Sequence, residues 1–277
     1  MLTPEIAKKI NDFVFLKPRS IDEIASHIKK NWRTANRYIE RIAEQQGTIA
    51  IRTFREGTRG ALKIVYWANI EKIHSSAFQE KLFEQIKSGK RKEDFSPFDI
   101  WQHVALKKKS AFLEEQEDES KTAFNKDLPN LFKGTEKQLL IFSGNLSWAN
   151  LIEELNIYKT LEELGKKNVS IKILVRVDVN SLEHVKKFID LNNKLGKEFI
   201  EIRHLQQSLR AFIIDKKIAR FKEIRNQDQK KKKKTWIFYN IYDKDWIEWL
   251  QKVFWNLFSS AIPALKRIEE IEKIQRL

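Results

Sequence analysis

Residues 20–42 read SIDEIASHIKKNWRTANRYIERI and contain two helix starts with two apolar faces. Ser20-Ile21-Asp22-Glu23 has the form of a capping box, in which the Glu23 carboxylate reaches back to the Ser20 N–H. Ile21, Ile24, Ala25 and Ile28 then recur at helical spacing as the buried face of a short helix. Lys29-Lys30-Asn31 makes a turn into the next helix, where Trp32, Ala35, Ile39 and Ile42 point inward and Gly47 supplies the stop. Upstream, Thr3 caps a helix whose first position is Pro4, where a missing N–H costs nothing, and Ile6, Ile10, Phe13 and Val14 form its stripe. Lys17-Pro18-Arg19 interrupts it. Downstream, residues 48–54 and 61–67 are rich in β-branched and aromatic side chains and flank a turn at 55–60. Three short helices followed by a basic-tipped hairpin predict a winged helix-turn-helix over residues 1–70.

The third of these helices carries Arg33, Thr34, Asn36, Arg37 and Arg41 on its outer face, side-chain types suited to base edges and phosphates. The hairpin adds Arg52, Arg55, Arg59 and Lys63, suited to the flanking backbone or the minor groove. Residues 1–70 hold 13 basic and 7 acidic side chains, a net +6. Double-stranded DNA is the expected partner; the alternative is a winged helix that contacts proteins, with its arginines merely solvated. The stretch from Asn31 to Glu40 resembles the recognition helices of archaeal transcription regulators.

The whole chain agrees in sign. Its 277 residues include 53 Lys and Arg against 38 Asp and Glu, a net charge of +15, which favours a polyanionic partner over a merely solvated lysine-rich surface. Hydrophobic residues make up 42%, enough for two cored domains at this length. Cysteine is absent, and His27, His74, His103, His184 and His204 form no pair at metal-ligand spacing, so neither a disulfide nor a metal or other cofactor is expected. The amino terminus lacks the pattern of a signal peptide, and no apolar run approaches the ~20 residues that span a bilayer. A soluble, cytoplasmic protein without membrane contact is therefore expected.

Residues 71–133 change character and predict a helical connector. Ile73, Ala77, Leu82 and Ile86 mark a helix ending near Ser88-Gly89, and Ser96-Pro97 starts another with Phe98, Trp101, Val104 and Ala105 on one side. The acidic run from Glu114 to Glu119 reads as a solvated helix end; its alternative is a partner for a basic face. The connector's aromatics suit the seam of a homodimer.

Residues 134–277 alternate strand and helix. Strands are expected at 138–142, 169–175, 199–204, 209–214, 218–221 and 236–241. Helices are expected at about 149–165, 182–195, 243–258 and 261–276. The fold class is thus α/β, a sandwich built by βαβ crossovers. Its order resembles one half of the phospholipase D superfamily fold over roughly residues 135–258. In active members a histidine attacks phosphorus, a lysine two residues on holds phosphate oxygens, and an aspartate five further on supports the site. The matching stretch here runs from Ser208 through Arg210 to Asp215. The spacing and the aspartate remain, but the histidine position holds Ser208 and the lysine position Arg210. A serine hydroxyl needs a neighbouring base to attack, and the nearest histidine in sequence, His204, lies outside the motif. The expectation is a domain without catalysis; a nuclease of the phospholipase D type is the alternative, and a winged-helix interaction scaffold a third reading.

A winged helix joined to a silent phospholipase-D-like domain is the architecture of the TrmB-like archaeal transcription regulators. The segment from Phe199 to Asp215 and the aromatic helix from Trp246 to Trp255 are similar to theirs. That resemblance implies a DNA-binding regulator or architectural protein, a homodimer, and in some members a sugar effector, although no sugar-contacting motif is present here. Lys230, Lys231, Lys232, Lys233 and Lys234 stand apart as five consecutive lysines; residues 216–234 hold 10 basic and 2 acidic positions, a net +8. The five read either as an auxiliary DNA-backbone contact or as a solvated loop.

Overall fold

The structure, a computed structural model, describes residues 2–55, 61–67, 76–225 and 234–275. The chain divides into two units, Met1–Ile73 and His74–Leu277.

In the first unit, α1 (Pro4–Leu16) starts at a Thr3 cap, and the Thr3 hydroxyl accepts from the Ile6 N–H at 3.3 Å. A two-residue strand β1 (Arg19–Ser20) leads directly into α2 (Ile21–His27). Both halves of the capping box are formed: the Ser20 N–H donates to Glu23 Oε2 at 2.7 Å and the Glu23 N–H to Ser20 Oγ at 3.2 Å. Lys29 takes a left-handed conformation, φ 52°, and the turn closes with the Lys30 N–H on the Ala25 carbonyl at 2.9 Å. Asn31 then caps α3 (Trp32–Gln45) through its side-chain oxygen, which accepts from the Thr34 N–H at 2.8 Å. Gly47, with φ +66°, lets the chain turn out of α3 into the antiparallel hairpin of β2 (Ile49–Arg55) and β3 (Ala61–Trp67). The sheet order is β1-β3-β2, and Ile10, Ile21, Ile24, Ala35, Tyr38, Ile39, Ile42 and Val65 form the core beside it. One inward assignment is corrected. Trp32 is 42% exposed, and the row on which α3 packs contains Tyr38 in its place.

The second unit is built on one mixed sheet of eight strands. In chain order its elements are α4 (Ala77–Ser88), α5 (Phe98–Trp101), β4 (Lys109–Gln116), α6 (Ala123–Lys133), β5 (Gln138–Ser143), α7 (Ile157–Lys166), β6 (Ser170–Val175), α8 (Leu182–Leu195), β7 (Ile200–His204), β8 (Ala211–Ile214), β9 (Ile218–Arg225), β10 (Lys234–Ile241), α9 (Lys244–Ser260), β11 (Ile262–Pro263) and α10 (Ala264–Gln275). The sheet order is β11-β7-β6-β5-β8-β9-β10-β4. β5, β6 and β7 run parallel, joined by α7 and α8, and the remaining pairs are antiparallel. All six residues of β5 are buried. Leu139 and Ile141 pack with Phe132, Leu161, Phe188 and Ile268 of the helices, while strand alternation turns Phe142 to the other face, edge-on to Phe254 of α9 at 5.1 Å.

Two expectations change here. The helical connector over 71–133 is not a separate piece: its described part belongs with the second unit, and residues 109–116 form β4, paired with β10 along its whole length. The acidic run is therefore a strand end and a 3-10 turn, not a helix end. Glu114 accepts from the Ala123 N–H at 2.9 Å, and Glu119 pairs with Lys222 of β9. The helix expected at 149–165 begins only at Ile157. Asn156, held left-handed at φ 41°, breaks the run and caps α7 by accepting from the Lys159 N–H at 3.1 Å.

Candidate nucleic-acid interface and the 208–215 segment

The solvent side of α3 is two rows with different chemistry. Arg33, Arg37 and Arg41 stand four residues apart, all exposed, and none has a carboxylate partner among the described residues. Trp32, Asn36 and Glu40 form the neighbouring row, and Lys63 of β3 reaches all three. The Lys63 ammonium donates to Asn36 Oδ1 at 3.0 Å, lies 3.3 Å from Glu40 Oε1 and sits 5.9 Å from the Trp32 ring centre. Asn36 Nδ2 in turn donates to Glu40 Oε1 at 2.8 Å.

The predicted DNA set thus separates. Arg33, Arg37 and Arg41 are presented together, whereas Asn36 and Lys63 are engaged with one another. Thr34 is half-buried, with its N–H committed to the Asn31 cap. Arg52 is exposed on β2; the side chain of Arg55 and all of Arg59 lie outside the described residues. Sequence reasoning passed over Trp32 as a surface group. The signal was its place four and eight residues before Asn36 and Glu40.

In the second unit, Ser208 and Arg210 lie in the segment between β7 and β8. Ser208 is buried, and its hydroxyl has no hydrogen-bond partner among the described residues. Gly89 packs so closely that a Cβ there would stand 2.8 Å from Ser208 Oγ. Arg210 Nη1 donates to the carbonyls of Leu209 at 2.6 Å and Gln207 at 3.2 Å. Burial, with Arg176 nearby, lowers the guanidinium to about 10. The Gly144 backbone lies against it, with 2.9 Å between a Cβ position and Nη2.

Asp215 is at the other end of β8, roughly 17 Å away at an extended rise of ~3.3 Å per residue. It holds φ 49° and its carboxylate accepts the N–H groups of Glu136, Lys137 and Gln138 at 3.0, 2.9 and 2.9 Å. The motif residues are therefore not convergent. His204 does not serve Ser208 through Nδ1, which accepts the Val177 N–H at 2.8 Å; burial pushes its pKa down.

Four of the ten basic residues in the 216–234 stretch are held in ion pairs. Lys216 pairs with Glu248 at 3.0 Å, Lys217 with Glu136 at 2.6 Å, Arg220 with Asp127 at 3.1 Å, and Lys222 with Glu119. Of the five consecutive lysines that read either as an auxiliary DNA contact or as a solvated loop, Lys234 opens β10 and is exposed. The other four, Lys230, Lys231, Lys232 and Lys233, lie outside the described residues.

Among the described residues no cluster of His, Asp and Glu suits a metal, and no helix is long and apolar enough to cross a membrane. A cleft of about 400 Å³ is lined by Ser120, Lys121, Lys126, Leu151, Ile152, Glu153 and Glu154.

No protein-family model matches the chain, and no curated protein matches it. Solved structures do resemble it. Nuc, a phospholipase D family member from Salmonella typhimurium, is 10% identical, over 56% of this chain and 97% of that one, with a TM-score of 0.40. NucT from Helicobacter pylori is 13% identical, over 56% and 99%, with a TM-score of 0.40. TrmBL2, an archaeal chromatin protein whose structure shows a novel mode of DNA binding, is 14% identical, over 93% of each chain, with a TM-score of 0.39.

Proposed function

We propose that the first unit is a winged helix that binds double-stranded DNA, with α3 in the major groove and the β2–β3 hairpin as its wing. The exposed row of Arg33, Arg37 and Arg41, free of carboxylate partners among the described residues, carries this reading. A helix of ~10–12 Å diameter fits a major groove of ~12 Å. At ~1.5 Å per residue the row spans about 12 Å, the length of three to four base pairs at ~3.4 Å each. Arginines so placed take guanine edges or phosphates. The chain's +15 charge supports the same polyanionic partner. The role is then regulatory or architectural binding of DNA.

Replacing Arg33, Arg37 and Arg41 together with alanine tests this by fluorescence anisotropy on genomic duplexes. Affinity is expected to fall by roughly two orders of magnitude or more, at about 1–3 kcal/mol per specific contact. Unchanged affinity in a folded triple variant sinks the proposal.

The second unit, on this reading, performs no phosphodiester chemistry. What supports it is that Ser208 lacks a base, Arg210 donates to backbone carbonyls, and the Asp215 carboxylate is taken up by three backbone N–H groups. Incubation with plasmid DNA and a chromogenic phosphodiester should give no turnover. Turnover that disappears in Ser208→Ala would revive a nuclease.

A further inference from the structure

The two ends of the eight-stranded sheet differ. One closes with β11, two residues long and ending in Pro263, a short edge that discourages further pairing. The other ends in β4, eight residues long and paired on one side only among the described residues. Its middle, Ala111-Phe112-Leu113, carries no charge or proline, and Phe112 and Leu113 are 38% and 57% exposed.

The direction of the free backbone groups follows from the ladder. The Tyr242 N–H donates to the Lys108 carbonyl at 2.8 Å, just beyond the Lys109↔Ile241 partners. Antiparallel alternation then turns the backbone of Ser110, Phe112, Glu114 and Gln116 toward β10. The N–H and C=O groups of Lys109, Ala111, Leu113 and Glu115 face outward.

We propose that this edge pairs with the same edge of a second copy of this chain, antiparallel, about a two-fold axis at Phe112. A two-fold axis that passes through a residue, rather than between two residues, sets outward groups against outward groups. Centring on Phe112 places Ala111 opposite Leu113 of the second copy and Lys109 opposite Glu115, and the two-fold repeats each pair. Lysines precede the apolar centre and glutamates follow it, so antiparallel pairing matches opposite charges at both ends. Phe112 faces its own copy and extends the cross-strand aromatic pair it already makes with Phe238, at 5.0 Å. Lys109 is anchored meanwhile by the Trp101 and Gln102 carbonyls at 3.0 and 3.1 Å, which leaves its ammonium a further donor.

The chain has no cysteine, so Phe112→Cys places a single thiol in it. Across a non-hydrogen-bonded antiparallel pair the Cα atoms are about 4.5 Å apart, within the disulfide range. Mild oxidation of the full-length Phe112→Cys protein should give a covalent dimer. Glu115→Cys, whose two copies would be roughly 20 Å apart along the strand, should not cross-link. By sedimentation equilibrium the parent should be a dimer at micromolar concentration. Glu115→Lys, an exposed change that sets lysine against Lys109, should weaken it at least tenfold without altering the circular dichroism spectrum. A monomeric parent overturns the proposal. So does a dimer that withstands Glu115→Lys, a readout that stands even where Phe112→Cys fails to fold.

Discussion

Lys63 of the hairpin donates to the side-chain oxygen of Asn36 on α3 at 3.0 Å, tying a strand and a helix that both lie in the DNA-binding set read from sequence. With Glu40 accepting from both, each end of the Asn36 amide is already bonded once, which fixes the side chain between helix and hairpin and turns it from an adenine edge. On the proposed DNA-binding reading, Asn36 positions the hairpin on the helix and base readout falls to Arg37.

Asn36→Ala and Arg37→Ala should part company on this account. Asn36→Ala should lower stability by roughly 0.5–1 kcal/mol, the worth of a partly exposed hydrogen-bond network, and leave the ranking of DNA sites intact. Arg37→Ala should leave the melting temperature alone, cost about 1–3 kcal/mol on a preferred site and relax preference there. Thermal melts and binding across a panel of duplexes read both. A change of site preference in Asn36→Ala would restore it to base readout.

Asp215 is the clamp at the start of β5. Its carboxylate satisfies three consecutive backbone N–H groups, and its carbonyl accepts from Gln251 Nε2 at 2.6 Å. Alanine strands those donors beside the core and cannot take φ 49° without strain. Asp215→Ala should lose roughly 3 kcal/mol or more in urea unfolding, and Asp215→Asn less, since asparagine tolerates the left-handed region. A loss under about 1 kcal/mol in Asp215→Ala would show that the donors find other partners.

The features legible in the sequence were local ones. Ser20 and Glu23 lie three residues apart, and the apolar spacing of Ile21, Ile24 and Ile39 needs no partner to be seen. β4 was hidden because Lys109 to Gln116 contain no β-branched residue, and its strand form comes from pairing with β10 more than a hundred residues on. The partners of Lys216, Lys217, Arg220 and Lys222 are equally remote, at Glu248, Glu136, Asp127 and Glu119, so the stretch looked like open charge. Trp32 lies at the margin of the buried arc of α3. Its polar row-mates Asn36 and Glu40, and the Lys63 ammonium 5.9 Å from its ring centre, set it apart from the core.

Glu201 on β7 makes stability depend on acid. Burial alone would raise its carboxyl, but Lys172, its cross-strand partner at 2.7 Å, and Arg203 at 2.9 Å outweigh this and hold it at about 2. A carboxyl depressed on folding contributes stability above its unfolded value of ~4.3 and loses it as pH falls toward the folded value. The contribution is on the order of 3 kcal/mol above about pH 5. Chemical denaturation of the parent should weaken between about pH 5 and 2, and Glu201→Gln should flatten that part of the profile. Parallel profiles would show that the ion pairs survive unfolding or contribute nothing.

The lysine run of Lys230, Lys231, Lys232, Lys233 and Lys234 separates backbone attraction from sequence reading. A cation that neutralises a phosphate releases a counterion whatever the bases, so each lost contact should lower the slope of log affinity against log salt by about 0.9 on duplex DNA. Base contacts set preference among sequences instead. Lys216, Lys217, Arg220 and Lys222, which precede the run in sequence, are held in ion pairs and so are poor substitutes for it. Replacing all five lysines with glutamine should therefore weaken binding to every duplex alike and flatten its salt dependence. Arg33, Arg37 and Arg41 are untouched by the change, so the order of preferred sites should persist. A five-fold variant that binds like the parent at low and high salt would remove the run from the DNA interface and leave binding to α3 and its hairpin.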